Sequence, residues 1–256
     1  MNRLLKSEMM KLLKSLPIKI LFLLMLGLSV VTSLSSLNYV GSPNAEVMEI
    51  ALYGYDAFFS SLRDTPTIAI IGIIIIGLIV CSDFENRTIP MEIAAGYSRS
   101  QVLFSKLVAV SFAYVLVLLP YPVGRAILQG IFIGFGVPVS FPIIIQMLSA
   151  FLVVAVVGIA MNGITILISF IVRKTIIVVG IGFVLVVLGG NALLSFGVAN
   201  PSLGAILSKT PLGLIKALAV ENYSANLLLF ALLSGIGCIG VFVLTTHLLF
   251  VKSELK

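Results

Sequence analysis

The sequence predicts an all-α membrane protein with six transmembrane helices. Of its 256 residues, 60% are hydrophobic and only 10% are charged, whereas a soluble domain carries about 25% charged residues. Long apolar runs recur at intervals that suit membrane helices of about 20 residues and their loops. The net charge of +6 comes from lysines and arginines beside these runs, where they set membrane topology rather than bind nucleic acid. This composition excludes disordered, fibrous and disulfide-stapled proteins and leaves no length for a soluble catalytic domain.

Residues 1–16 have the pattern of a basic amphipathic helix rather than of a cleaved signal peptide. One face carries apolar residues at helical spacing, and lysines and an arginine occupy much of the rest. The apolar positions are Leu5, Met9, Leu12 and Leu16. We expect this helix to lie in the membrane interface and to contact lipids. The alternative is a simple cytosolic tail.

The apolar runs predict one transmembrane domain, residues 1–256, with six spans. The spans are expected at about 18–37, 66–82, 107–123, 142–172, 175–196 and 226–251. A polar loop is expected over 38–65, and a connection with prolines and glycines over 124–141. The segment between spans 5 and 6 is semi-apolar.

The distribution of basic residues predicts that both termini lie in the cytoplasm. With six spans and the N-terminus inside, twelve lysines and arginines fall on the inner side and four on the outer side, as the positive-inside rule requires. A seven-span alternative counts 126–141 as a crossing. It puts ten lysines and arginines on the inner side and six on the outer side, and it needs a membrane crossing that is interrupted by Pro138. Six spans in a cell membrane are therefore favoured.

The sequence lacks common motifs of catalytic and metal-binding sites. There is no phosphate-binding GxxxxGK[ST] loop and no HExxH zinc motif, and the single histidine is not part of a metal-binding or catalytic motif. We therefore expect no catalytic site, no metal site and no cofactor bound directly. Asn162 and Thr165 are polar residues within a span. They either line a pathway or join helices by hydrogen bonds, and the second interpretation is favoured.

The most polar stretch, Ser82 to Lys106, predicts a short helix between spans 2 and 3. Pro90 suits the first turn of a helix over Met91–Ala95, and Gly96 can end it in a left-handed conformation. Ser98 can then cap the helix that continues into span 3. An ordinary inner loop would need none of these features.

The same stretch resembles the first cytoplasmic loop of type-2 ABC transporter permeases, the six-span membrane subunits of many bacterial exporters. The matching residues are Glu85, Asn86, Thr88, Ile89, Ala94, Ala95, Gly96, Ser98, Arg99, Ser105, Lys106 and Leu107. Where many family members carry a glycine before the threonine, this chain has Arg87. The motif covers about 25 residues, and the predicted six-span architecture with its amphipathic N-terminal helix is also similar to the family.

The resemblance implies that the short helix is a coupling helix, which rests on a separate ABC ATPase subunit. The implied coupling residues are Glu85, Arg87, Thr88, Met91, Glu92, Gly96, Tyr97, Ser98, Arg99 and Lys106. Two ATPase copies would bind ATP and magnesium, and a second permease, identical or homologous, would complete the pathway. The N-terminal helix would move as a lever. In the family, the segment between spans 5 and 6 forms short helices that help close the exit; a plain apolar loop is the alternative.

The scarcity of ionisable residues within the spans suggests an amphipathic or hydrophobic cargo, such as a peptide, a lipid-like molecule or a drug. The chain also resembles permeases of bacterial peptide-export and antimicrobial self-immunity systems. Two other classes stay open. One is a secondary transporter or channel without an ATPase, and the other is a non-transporting scaffold or sensor subunit.

Overall fold

The computed structural model describes residues 2–40, 51–218 and 224–252, and within these ranges the chain is helical with no strand. The helices are α1 (Asn2–Lys14), α2 (Leu16–Leu37), α3 (Gly54–Leu62), α4 (Thr65–Glu85), α5 (Thr88–Ala94), α6 (Arg99–Phe132), α7 (Phe141–Val172), α8 (Thr175–Ala199), α9 (Pro201–Leu207), α10 (Pro211–Leu218) and α11 (Ala225–Lys252). Six of them, namely α2, α4, α6, α7, α8 and α11, are long and apolar enough to cross a membrane. The all-α fold with six spans is therefore confirmed.

Three of the long helices form the centre of the bundle. At least half of the span residues of α4, α6 and α7 are buried, whereas fewer than a third are buried in α2, α8 and α11. Helix α6 has a first half, Arg99–Leu118, and a second half, Pro120–Phe132. Helix α2 packs on the second half of α6, α8 on α4, and α11 on α7. Helix α1 packs on the first half of α6, and α3 packs on its second half. Helix α6 is thus the element that connects the two ends of the molecule.

The helix that contains the predicted third span, 107–123, is longer than that span and continues through the first half of the connection expected over 124–141. Helix α6 continues to Phe132. The glycines in this region do not break the helix because they serve close packing. A Cβ atom at Gly124 would collide with the side chain of Ser29 on α2. Pro120 and Pro122 fall in the first turn of the second half of α6, where proline is tolerated.

Helix α3 lies inside the segment that the sequence predicted to be a polar loop. It buries Phe58, Phe59 and Leu62 against the bundle. Between the fifth and sixth spans, α9 and α10 are short helices, and Leu214 and Ile215 of α10 are buried. Part of the segment before the sixth span, residues 219–223, lies outside the described residues.

Two of the long helices contain π-helical turns. In α4 the turn covers Gly77–Cys81, and in α8 it covers Phe183–Leu188. Each π turn contacts the other helix. A Cβ atom at Gly77 would lie 2.9 Å from the side chain of Val179, so the glycine permits this close approach. Such π turns lose regular hydrogen bonding locally and often mark functional regions of a helix.

Candidate functional site

Helix α5 is a short helix bounded by two residues with left-handed backbone conformation. Arg87, directly before the helix, has φ 56°, and Gly96, just after it, has φ 94°. Glycine adopts this conformation without strain, whereas arginine does so at some energetic cost. The departure from the family motif at Arg87 therefore falls on a position where the backbone favours glycine. Pro90 lies in the first turn of α5, within the stretch where the sequence predicts a short helix.

The start of α6 is fixed by a reciprocal cap. The backbone N–H of Gln101 donates to the Ser98 hydroxyl over 3.2 Å, and the backbone N–H of Ser98 donates to Gln101 Oε1 over 3.1 Å. These two bonds satisfy N–H groups that the first turn of a helix leaves free. Together with Gly96 they fix the angle between α5 and α6.

A buried ionic cluster holds α5 against the bundle. The Lys106 ammonium on α6 donates to Glu8 Oε1 at 2.7 Å, to Asp83 Oδ2 at 2.5 Å and to Glu92 Oε1 at 3.2 Å. Lys11 pairs with the other oxygen of Asp83. We call these five residues the Lys106 cluster. They come from α1, α4, α5 and α6, so a single buried ammonium joins four helices.

Most of the charged groups of the cluster are shielded from solvent. Lys106 is fully buried, and Glu8 and Asp83 are nearly so. A buried charge is tolerated only when it is paired, and Lys106 has three carboxylate partners. Burial raises the pKa of the Glu92 carboxyl above its ordinary 4.5; Lys106 lowers this pKa and the Glu8 carboxylate raises it. The second oxygen of Glu92, Oε2, is buried and has no hydrogen-bond partner among the described residues.

Glu85 connects the end of α4 to the start of α8. The backbone N–H of Thr175 donates to Glu85 Oε1 over 2.8 Å, and the Thr175 hydroxyl donates to Oε2 over 3.1 Å. A carboxylate at a helix N-terminus is favoured by free N–H groups and by the helix dipole. The guanidinium of Arg173 lies 5.2 Å from the centre of the Phe84 ring, which adds a second contact between the same regions.

The end of the last span is attached to the start of α6. Arg99 Nη1 donates to the Phe250 carbonyl over 3.1 Å, and Ser100 Oγ lies 2.7 Å from His247 Nε2. The Phe250 ring is buried and packs edge-on against the rings of Phe84 and Phe170. The fourth, fifth and sixth spans therefore all meet the region around α5.

The outward surface of α5 carries only some of the predicted coupling residues. Met91 is 60% exposed, and Arg87 and Gly96 are exposed as well. Tyr97 is partly buried against the core, and Thr88 is half-buried. The other polar members, Glu85, Glu92, Ser98, Arg99 and Lys106, bind groups within the chain. The apolar anchor available to a partner is thus Met91.

Glu8, Lys11 and Asp83 belong to the cluster, but none of them is among the site residues predicted from the sequence. On α1, Leu4, Glu8 and Leu12 follow one another at intervals of four residues, and all three are buried. An acidic residue in line with two buried leucines could have indicated an internal partner. Of the predicted apolar face of α1, Leu12 is buried, Leu5 and Met9 are half-buried, and Leu16 lies exposed at the start of α2.

Asn162 and Thr165 lie inside the bundle, where α7 is interrupted between its first half, Phe141–Met161, and its second half, Gly163–Val172. The Asn162 amide donates to the Gly158 carbonyl over 3.0 Å, and its side chain fills the space beside Gly72 of α4. Thr165 packs against Gly182 of α8. Both residues therefore contact neighbouring helices at positions where glycine leaves room.

Comparison with known proteins agrees with this architecture. The family model described as ABC-2 family transporter protein matches residues 4–189, well over half of the chain. The matched region contains most of α1, all of α5 and every member of the Lys106 cluster. No curated protein matches the chain in sequence. The extent of the family match shows that the chain belongs to the ABC-2 family of transporter proteins, as a membrane subunit with several spans.

Proposed function

We propose that the chain is the permease subunit of an ATP-driven exporter and that a separate ATPase subunit docks on α5. The observation that carries this proposal is the construction of α5. The Lys106 cluster binds the helix from the bundle side, while Met91 stands exposed on the outer side. A push on Met91 would pass through Glu92 and Lys106 to α1, α4 and α6, because the ion pairs connect these helices directly.

In the proposed orientation α5 lies in the cytoplasm, where ATP is available. Lysines and arginines number twelve on this side and four on the other when six spans are counted from a cytoplasmic N-terminus. The ATPase then meets α5, and both termini of the chain are cytoplasmic. The chain itself has no phosphate-binding loop motif, so ATP and magnesium are bound by two copies of the partner ATPase. A second permease, identical or homologous, completes the pathway.

The cargo is amphipathic or hydrophobic in this proposal. A cavity of about 550 Å³ lies at the end of the bundle opposite α5, between α3, the second half of α6 and the first half of α7. Its lining consists of Phe58, Leu119, Val123, Ala126, Ile127, Gly130, Phe135, Val139, Ile144, Met147, Leu148 and Phe151. These residues offer apolar contacts, which suits a peptide side-chain cluster, a lipid-like molecule or a drug. A peptide cargo would agree with a role in peptide export or self-immunity.

The docking proposal is tested by a matched pair of methionine substitutions. Met91→Asp places a charge at the centre of the proposed interface, and Met10→Asp places one at another exposed methionine, on α1. Since buried anchor residues carry much of the affinity of an interface, Met91→Asp should reduce co-purification of the ABC-type ATPase by about tenfold or more. Met10→Asp should leave it unchanged.

Two results would contradict the proposal. One is full ATPase co-purification with Met91→Asp, together with unchanged stimulation of ATP hydrolysis by the permease. The other is movement of cargo across vesicles that contain the purified permease and no ATPase, which would instead support a secondary transporter or channel.

A further inference from the structure

A cavity of about 360 Å³ lies on the side of the bundle where α1 ends and α2 begins. Seven residues line it, and six of these are apolar, with Lys19 as the exception. Phe22 and Leu23 belong to the first span and Leu116 to the third, so two membrane helices form its wall. Leu23 is 65% exposed, and fewer than a third of the α2 span residues are buried. The apolar wall therefore faces the lipid around the bundle, and an acyl chain suits it.

The exposed charges of α1 and α2 are all positive. Residues 2–40 contain a single acidic residue, Glu8, which is buried and bonded to Lys106. Several exposed basic residues of these two helices have no hydrogen-bond or ion-pair partner in the part of the chain that the structure describes. They are Arg3, Lys6, Lys14 and Lys19. A surface with unpaired cations and no exposed carboxylate of its own attracts anions.

Lys19 stands at a position where its own helix does not favour a cation. It is the fourth residue of α2, and the first turn of a helix carries free N–H groups and the positive end of the helix dipole. An anion beside Lys19 would interact favourably with both the ammonium and the helix end. Lys14 follows Leu13 and Lys19 follows Ile18, and both of these apolar residues line the cavity. Each end of the connection between α1 and α2 thus places an unpaired cation next in sequence to the cavity wall.

We propose that this cavity binds one phospholipid with a net negative headgroup, of the phosphatidylglycerol type, from the adjoining leaflet. Its phosphate accepts a charge-assisted hydrogen bond from the Lys19 ammonium, and one acyl chain lies along Phe22, Leu23 and Leu116. The basic surface of α1 and α2 repels the ammonium group of a choline or ethanolamine headgroup, which a glycerol headgroup lacks. The charge of the surface thus selects the headgroup, and the apolar wall binds the chain. The site is separate from the proposed ATPase docking surface at Met91.

The test uses the full-length protein in nanodiscs that contain equal amounts of phosphatidylglycerol and phosphatidylcholine with the same acyl chains. Lipids that stay bound on release from the nanodisc are counted by native mass spectrometry. We expect one retained phosphatidylglycerol, enriched about fivefold or more over phosphatidylcholine, because each nearby basic residue favours an anionic headgroup. Lys19→Gln should lower this enrichment about fivefold, whereas Lys19→Arg keeps the charge and should preserve the enrichment.

Two matched controls separate the site from a general attraction of anionic lipids. Lys174→Gln removes another exposed lysine, directly before α8 and outside the cavity lining, and should leave the enrichment unchanged. Leu23→Trp narrows the cavity and should reduce the retention of phosphatidylglycerol, whereas Leu24→Trp alters an exposed residue outside the lining and should not. All of the substituted positions are exposed, so these variants leave the buried core intact.

Any of four results would overturn the proposal. Equal retention of the two lipids would show lipid contact without selection of the headgroup. An unchanged enrichment in Lys19→Gln would place the anionic lipid elsewhere on the protein. An equal loss in Lys174→Gln would show a general effect of surface charge. Unchanged retention in Leu23→Trp would show that the cavity binds no acyl chain.

Discussion

Helix α6 carries a buried basic residue near each end, and the two residues are bound in different ways. Lys106 lies seven residues after the start of the helix and Arg125 seven residues before its end. Their separation along the helix axis is about 28 Å, close to the thickness of a membrane's apolar layer. Lys106 binds three carboxylates from three other helices. Arg125 donates to two hydroxyls of one helix, Ser60 and Ser61 of α3.

The difference shows which end of the molecule depends on charge. At the Lys106 end, the partners are carboxylates that need a buried cation. At the Arg125 end, Ser60 and Ser61 also donate to the Ala57 carbonyl, so they keep a partner when the arginine is removed. Asp64 likewise accepts from Thr67 and Tyr121. The Lys106 end therefore connects four helices through ion pairs, whereas the Arg125 end is a contact between two helices.

The largest expected effect is at Lys106. Lys106→Met leaves Glu8, Asp83 and Glu92 buried, and the one cation that remains in the Lys106 cluster is Lys11, which is half exposed and pairs with Asp83. Breaking a buried ionic network by removal of one partner costs about 3–5 kcal/mol. We expect a corresponding loss of unfolding free energy, measured by circular dichroism during denaturation in detergent micelles.

Lys14→Met is the control for this prediction, since Lys14 is exposed on α1 and takes no part in the cluster. It should change the unfolding free energy by less than about 0.5 kcal/mol. Equal effects of the two substitutions would mean that the Lys106 ion pairs do not hold the four helices together.

A smaller effect is expected at Arg125. Arg125→Met removes two hydrogen bonds, but it also removes the buried Nε atom, which has no partner among the described residues. Because the hydroxyl partners stay bonded to the backbone, the expected loss of unfolding free energy is about 1 kcal/mol. The same denaturation measurement checks it. A loss as large as that of Lys106→Met would show that the two ends of α6 depend equally on charge.

The same contrast explains what the sequence could predict. The six spans follow from apolar runs longer than a membrane is thick, and α5 follows from local features, Gly96 and Ser98, whose backbone roles are set within a few residues. The Lys106 cluster could not be found in this way. Glu8, Asp83 and Lys106 are far apart in the sequence, and only the packing of α1, α4 and α6 brings them together. Patterns within a short stretch of sequence do not indicate contacts between residues that are far apart in the chain.

The extension of α6 beyond the predicted third span has a related cause. Gly124 and Gly130 lie in the stretch where prolines and glycines predicted a connection, but in the structure Gly124 packs against Ser29 and Gly130 lies beside Phe135. A glycine that ends a helix and a glycine that admits a neighbouring helix are identical in sequence. The π turns of α4 and α8 likewise depend on contacts between the two helices and leave no local pattern.

The smallest effect concerns Glu92, and its sign depends on pH. Burial raises the pKa of Glu92 above its ordinary 4.5, so the folded chain binds this proton more tightly than the unfolded chain does. The resulting stabilisation is fully present below pH 4.5 and is lost as the pH rises through the higher pKa of the folded state. The attachment of α5 should therefore loosen over this pH interval, which can be followed by hydrogen exchange of residues 88–95.

Glu92→Gln, which introduces a neutral side chain of the same shape, should keep α5 attached and remove the pH dependence. If exchange in this segment has the same pH dependence in both proteins, after correction for the intrinsic rate, Glu92 does not control the attachment. The joint at Lys106 would then depend on Glu8 and Asp83 alone.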